Sequence, residues 1–88
     1  MIYRVYVVLD KAVQAFNQPL IFRSEGEALR AFMEAVLTEG TQFNKHKRDY
    51  TFCFAGTFND STGMVSSEPP VPIAEASTVE SLDLNVER

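Results

Sequence analysis

The sequence is short of the residue types from which most catalytic centres are built. It has one cysteine, Cys53, one histidine, His46, and no tryptophan. A single cysteine excludes an internal disulfide and leaves no thiolate set for a zinc site. Any Ser-His or Cys-His nucleophile would have to use His46. That residue sits among Lys45, Lys47 and Arg48, a poor setting for a general base. There is no glycine-rich phosphate loop and no helical pair of metal ligands, and the carboxylates are scattered rather than paired. No apolar run approaches the ~20 residues of a membrane helix. The first residues, Met1-Ile2-Tyr3-Arg4-Val5, lack the charged, apolar and small blocks of a signal peptide. The expectation is a non-enzymatic cytoplasmic protein with no cofactor, no metal and no membrane partner.

What is present suits one small domain. The chain has 88 residues, of which 45% are hydrophobic, and seven are Phe. Such a chain can form a core but buries only a modest fraction of its surface. The net charge of −4 is unevenly placed. Residues 1–67 balance seven cations against seven carboxylates, so the whole deficit lies in residues 68–88. Pro69, Pro70 and Pro72 open that segment. Proline stiffens it, and its acidic, aromatic-free remainder reads as an extended or disordered tail. The expected organisation is a domain over 1–67 and a Pro-rich acidic tail over 68–88.

Within the domain, Ile2–Leu9 is β-branched and aromatic and reads as a strand. Tyr3, Val5, Val7 and Leu9 alternate on one side and, being uniformly apolar, are expected to face the core. Ile2, Arg4, Tyr6 and Val8 take the other side. Residues 13–16 and Leu20-Ile21-Phe22 read as short extended pieces. Ser24-Glu25-Gly26-Glu27 is a capping box. Leu29, Phe32, Met33, Val36 and Leu37 then recur at helical spacing, which predicts a helix over 25–38 that stops before Gly40. Arg30 and Glu34 are expected to pair on its outer face. Residues 41–49 read as a polar, basic loop. Residues 50–58 read as a strand with Tyr50, Phe52, Phe54 and Phe58 on one face, and Met64-Val65-Ser66 returns as its hairpin partner. These elements give an α+β fold, a small antiparallel sheet with one helix packed on one face. The other face is left uncovered, which makes it either a ligand surface or a dimer interface.

The stretch Phe43-Asn44-Lys45-His46-Lys47-Arg48-Asp49-Tyr50 places cations beside aromatics. Single-stranded nucleic acid is bound by this pairing, cations on phosphates and rings on bases. A bland solvated loop is the competing reading of so short a basic run. Arg4 and Tyr6 alternate on the strand face that the helix is not expected to cover, and make a second candidate.

Four stretches carry a family resemblance: Tyr3 to Asp10, Glu25 to Phe32, Gln42 to Tyr50, and Gly56-Thr57-Phe58-Asn59-Asp60-Ser61-Thr62-Gly63. The sequence resembles the small nonstructural protein of gokushoviruses, the Microviridae that infect Chlamydia, Spiroplasma and other bacteria. The specific parts are "F-x-K-H-x-x-D-Y" and "G-T-F-D-D-S-T-G", with Asn59 here where the family has Asp. The resemblance spans roughly residues 3–70. It implies an early non-capsid protein of a single-stranded DNA phage, acting by DNA binding in replication or packaging in the host cytoplasm. The combined expectation is a sequence-tolerant single-stranded DNA-binding protein, acting as a homodimer. Its DNA-binding residues would be Arg4, Tyr6, Phe43, Lys45, His46, Lys47, Arg48 and Tyr50. Lysine and arginine would neutralise phosphates, Tyr6, Tyr50 and Phe43 would stack on bases, and His46 would add charge on protonation. The alternative is an adaptor that binds a viral replication protein, the procapsid or a host factor through its tail.

Overall fold

The computed structural model describes residues 1–79. In chain order they form β1 (Ile2–Asp10), β2 (Ala15–Phe16), β3 (Leu20–Phe22), α1 (Glu25–Leu37) and α2 (Gln42–Lys45). A 3-10 turn (Lys47–Asp49), β4 (Tyr50–Asn59), β5 (Val65–Glu75) and a second 3-10 turn (Ala76–Thr78) follow. The strands make one five-stranded antiparallel sheet in the order β2-β1-β4-β5, with β3 also paired to β1. Because β4 pairs along the whole of β1, β2 and β3 share its other edge in succession. The α+β class and the single helix on one sheet face are as the sequence predicts.

Helix α1 starts where its cap places it. The Glu27 N–H donates to the Ser24 hydroxyl at 3.1 Å. The Glu27 carboxylate reaches one residue further back than a reciprocal box requires, accepting from the Arg23 N–H at 3.0 Å and its guanidinium at 3.3 Å. The charged arginine is the stronger partner there. Ala28, Phe32 and Val36 are buried, with Leu29, Met33 and Leu37 packed beside them. The expected Arg30–Glu34 pair is not among the ion pairs of the described residues.

The helix covers the face of β1 opposite to the expected one. Tyr6 and Val8 are fully buried beneath it. Aromatic packing overrides the aliphatic pattern here. Phe32 of α1 stacks on Phe52 of β4 at 4.6 Å between ring centroids, and Phe52 stacks on Tyr6 at 5.0 Å, both nearly parallel. Phe54 and Phe22 meet Tyr6 edge-on at 5.6 and 6.0 Å. A tyrosine can occupy this centre because its hydroxyl reaches the rim, where the Arg4 Nε donates to it at 2.7 Å. The aliphatic set Val5 and Val7 is left on the helix-free face.

A second correction comes from a bulge in β4. Val5 lies opposite Gly56 and Tyr6 opposite Phe54, so Ala55 has no partner on β1. One extra residue reverses the facing of everything beyond it. Tyr50, Phe52 and Phe54 face the helix, whereas Phe58 pairs with Tyr3 on the other face, ring centroids 6.1 Å apart.

The third correction concerns the expected tail. The chain does not leave the fold after Ser67. β5 runs through Pro69, Pro70 and Pro72 to Glu75, pairing with β4, and Ala76 and Val79 are buried in the core. Proline is tolerated because β5 is an edge strand and its ladder is broken by register shifts opposite Phe52/Cys53 and Phe54/Gly56. The rest of the expected tail, 80–88, lies outside the described residues.

Gly56 holds the bulge at φ +145°, and a Cβ there would overlap the backbone carbonyl oxygen of Ser66. Gly26, inside α1, has nothing within 4 Å of such a Cβ. The two glycines should therefore respond with opposite sign to the same change. Gly56→Ala should lower stability by about 1–3 kcal/mol or more, and Gly26→Ala should raise it by up to about 1 kcal/mol. Urea unfolding midpoints of the two variants check this.

Candidate nucleic-acid interface

The corner after α1 is built by side chains that satisfy the last carbonyls of that helix. The Thr41 hydroxyl donates to the Ala35 carbonyl at 2.8 Å and accepts from the Asn44 N–H at 3.0 Å, which starts α2. The Asn44 side-chain amide donates to the Val36 carbonyl at 2.8 Å. The Asp49 N–H then donates to the His46 carbonyl at 2.9 Å and closes the 3-10 turn. The Lys11 N–H, from the turn after β1, donates to the Asp49 carbonyl at 2.7 Å. The expected loop over 41–49 is thus two short helical turns fastened to α1 and to the sheet.

This tight path brings Lys45, His46, Lys47 and Arg48 around one shallow groove, together with Asn44 and Asp49. Lys45, His46 and Arg48 are exposed and Lys47 is half-buried. Elsewhere the fold pairs three cations and leaves Arg30 of α1 without an ion pair among the described residues. Arg4 pairs with Glu25 at 3.1 Å, Lys11 with Glu75 at 3.2 Å and Arg23 with Glu27 at 3.3 Å. Among the described residues, no carboxylate forms an ion pair with Lys45, Lys47 or Arg48. The corner is therefore a concentrated excess of positive charge, three cations to the one carboxylate of Asp49, on a body with balanced charge.

The aromatic members of the expected site are elsewhere. Phe43 turns inward and meets Tyr50 edge-on at 4.7 Å and Phe32 at 5.9 Å. Tyr50 is 6% exposed and Tyr6 0%. None of these three rings offers a face to a base in the folded protein. Arg4 lies opposite Thr57, six residues along β1 from the Asp10–Tyr50 pair, or about 20 Å from the corner. Its guanidinium sits 4.3 Å above the Phe54 ring and is held charged by the Tyr6 hydroxyl and then by Glu25. Arg4 is thus a rim residue of the core, apart from the basic corner. Asn44 and Asp49 line the groove without having been singled out in the sequence. The Thr41-x-x-Asn44 spacing, a helix-capping signature, was the available signal for the first.

The family described as phage ORF5 protein matches residues 3–79, which is all but the first two of the described residues. The chain belongs to the phage ORF5 protein family. It is a bacteriophage protein, and the family match takes in the Pro-bearing strand β5 as well as the basic corner. No curated protein and no solved structure matches it.

Tyr50 gives the corner a measurable pH signature. Burial, followed by the Asp10 and Asp49 carboxylates, pushes its phenol up from the ordinary value. The folded state thus favours the neutral phenol. Its contribution to stability is complete below the ordinary tyrosine range near 10 and is lost as pH rises through the higher folded value. Thermal melts at about pH 8 and about pH 11 should show a smaller alkaline loss for Tyr50→Phe than for the parent chain.

Proposed function

We propose that this ORF5 family member is a sequence-tolerant single-stranded DNA-binding protein of a gokushovirus-type phage. It acts without catalysis in genome replication or packaging in the host cytoplasm. The observation that carries the reading is the basic corner, where Lys45, Lys47 and Arg48 share one groove with a single carboxylate, Asp49, and form no ion pair among the described residues. A fold that pairs its other strand and helix-entry cations at 3.1–3.3 Å but leaves these three open suits a phosphate backbone. With Tyr6, Phe43 and Tyr50 in or against the core, binding relies on phosphate contacts rather than on base stacking. Such contacts position a strand without reading its sequence. His46 is exposed in the same groove, where its ring can hydrogen-bond to a phosphate oxygen.

Fluorescence anisotropy with labelled poly-dT and mixed-sequence oligonucleotides tests this. Three phosphate contacts on a single strand give a slope of log K against log salt of about −2 per protomer. Replacing Lys45, Lys47 and Arg48 together by Ala should weaken both oligonucleotides alike and flatten that slope towards zero. Lys11→Ala, which removes a paired cation outside the groove, should leave binding unchanged. Binding that survives the triple replacement, or that is lost for one sequence only, would contradict the reading.

A further inference from the structure

The helix-free face of the sheet carries a groove that the DNA reading does not use. Val5, Val7, Ala55 and Phe58 line it together with Pro19 and Ile21 of the β3 side and Val65, Ser67 and Glu68 of β5, enclosing about 440 Å³. Val5 is only 8% exposed on its floor, while Ile21 and Val65 stand 52% and 62% exposed at its rims. Here β1 turns its apolar Tyr3-Val5-Val7-Leu9 side away from the helix, having given its mixed Arg4-Tyr6-Val8 side to it.

We propose that this face is the surface on which two copies of the chain pair, related by a two-fold axis, with the Ile21 and Val65 rims of each copy seated in the groove of the other. Three observations favour a second copy as the occupant. The first is charge. An isologous contact sets every group near its own image, so a self-pairing face must avoid unpaired like charges. Glu75, at the β2 end of this face, is neutralised by Lys11 and accepts a hydrogen bond from Thr51 at 2.9 Å. Among the described residues Glu68 is the one charged group lining the groove; it forms no ion pair among them, and it stands exposed at the margin, where water can solvate it. The second is area. The described chain is a slab of 40 × 35 × 20 Å, and its broad side exceeds the ~800 Å² per partner of a standard interface. The third is the state of the edges. Three prolines on β5 and the brevity of β2 and β3 oppose strand-to-strand pairing, which leaves a face as the place for self-association. Face pairing gives a helix-sheet-sheet-helix sandwich and keeps both basic corners free.

The proposal is independent of DNA binding, and its test contains no DNA. Sedimentation equilibrium of the full chain at low-micromolar to about 200 µM loading should report twice the 9.9 kDa of one chain. The exposed double replacement Ile21→Glu with Val65→Glu should sediment as one chain while its far-UV circular dichroism and melting temperature stay within a few degrees of the parent. Two results would overturn the proposal: a parent chain that remains single at the highest loading, or a double variant that still pairs. A full chain that stays single while the same chain ended after Val79 pairs would assign the groove to residues 80–88 instead, and would equally overturn it.

Discussion

The ring stack of Phe32, Phe52 and Tyr6 is the contact on which the rest of the fold depends. It joins the helix to the two central strands, β1 and β4, through two nearly parallel ring contacts. Its ring spacings of 4.6 and 5.0 Å are those of offset aromatic pairs, worth about 0.5–1.5 kcal/mol each beyond the area they bury. Phe22, Phe43, Phe54 and Tyr50 close around it, so most of the aromatic content of the chain is committed to one cluster. The polar end of the stack is satisfied at the rim by Arg4 and, through it, by Glu25. Arg4 and Tyr6 belong together chemically, as their alternation suggests, but the purpose they serve is to finish the core.

This commitment decides what could be read in advance. The helix was legible because its cap and its 3.6-residue period agree, and β1 to β4 were legible from composition, but of β5 only the start at Val65-Ser66 was. The facing of β1 was not, because both of its alternating sets contain large apolar side chains. Periodicity separates apolar from polar; it does not rank a tyrosine against a valine. The ranking came from the partner, since the Tyr6 side is the one that meets both Phe52 and Phe54 of β4 beneath the helix. The bulge at Ala55 was equally hidden. Its signal is the single glycine that follows, and a glycine within a strand marks a bulge or a close approach without saying which. Gly56 turned out to serve both. The prolines of residues 69–72 read as the end of the domain because proline cannot sit in a central strand. At an edge, that argument has no force.

The charged groups divide along the same line. Cations that lie on or beside the sheet and at the start of α1 are met by Glu25, Glu27 and Glu75. Those of the α2 corner are not met within the described residues. The corner was legible as a basic run, and the groove that it forms follows from Thr41 and Asn44 fastening the chain to the last carbonyls of α1. What the linear pattern could not show is that Phe43 and Tyr50, flanking the cations in sequence, point the opposite way. A short helical turn followed by a 3-10 turn separates neighbouring side chains by about a hundred degrees or more. Residues adjacent in sequence therefore serve the core and the surface in alternation.

The burial of Tyr6 has one more consequence. A platform of exposed rings on the sheet would have made the sheet the candidate nucleic-acid surface, as in sheet-type single-strand binders. With those rings under the helix, the charged groove and the aliphatic sheet face become separate surfaces, on different sides of the slab. A phosphate backbone needs the first and is repelled by nothing on it but Asp49. A water-excluding contact needs the second, where Glu75 is already met by Lys11 and Glu68 stands exposed at the margin. Two surfaces of such different chemistry can be occupied at once, so pairing two copies through the sheet doubles the number of basic corners on one particle without covering either. On the proposed reading, a corner of three cations and one carboxylate attracts phosphate only weakly, and doubling the corners on one particle is how pairing would raise affinity.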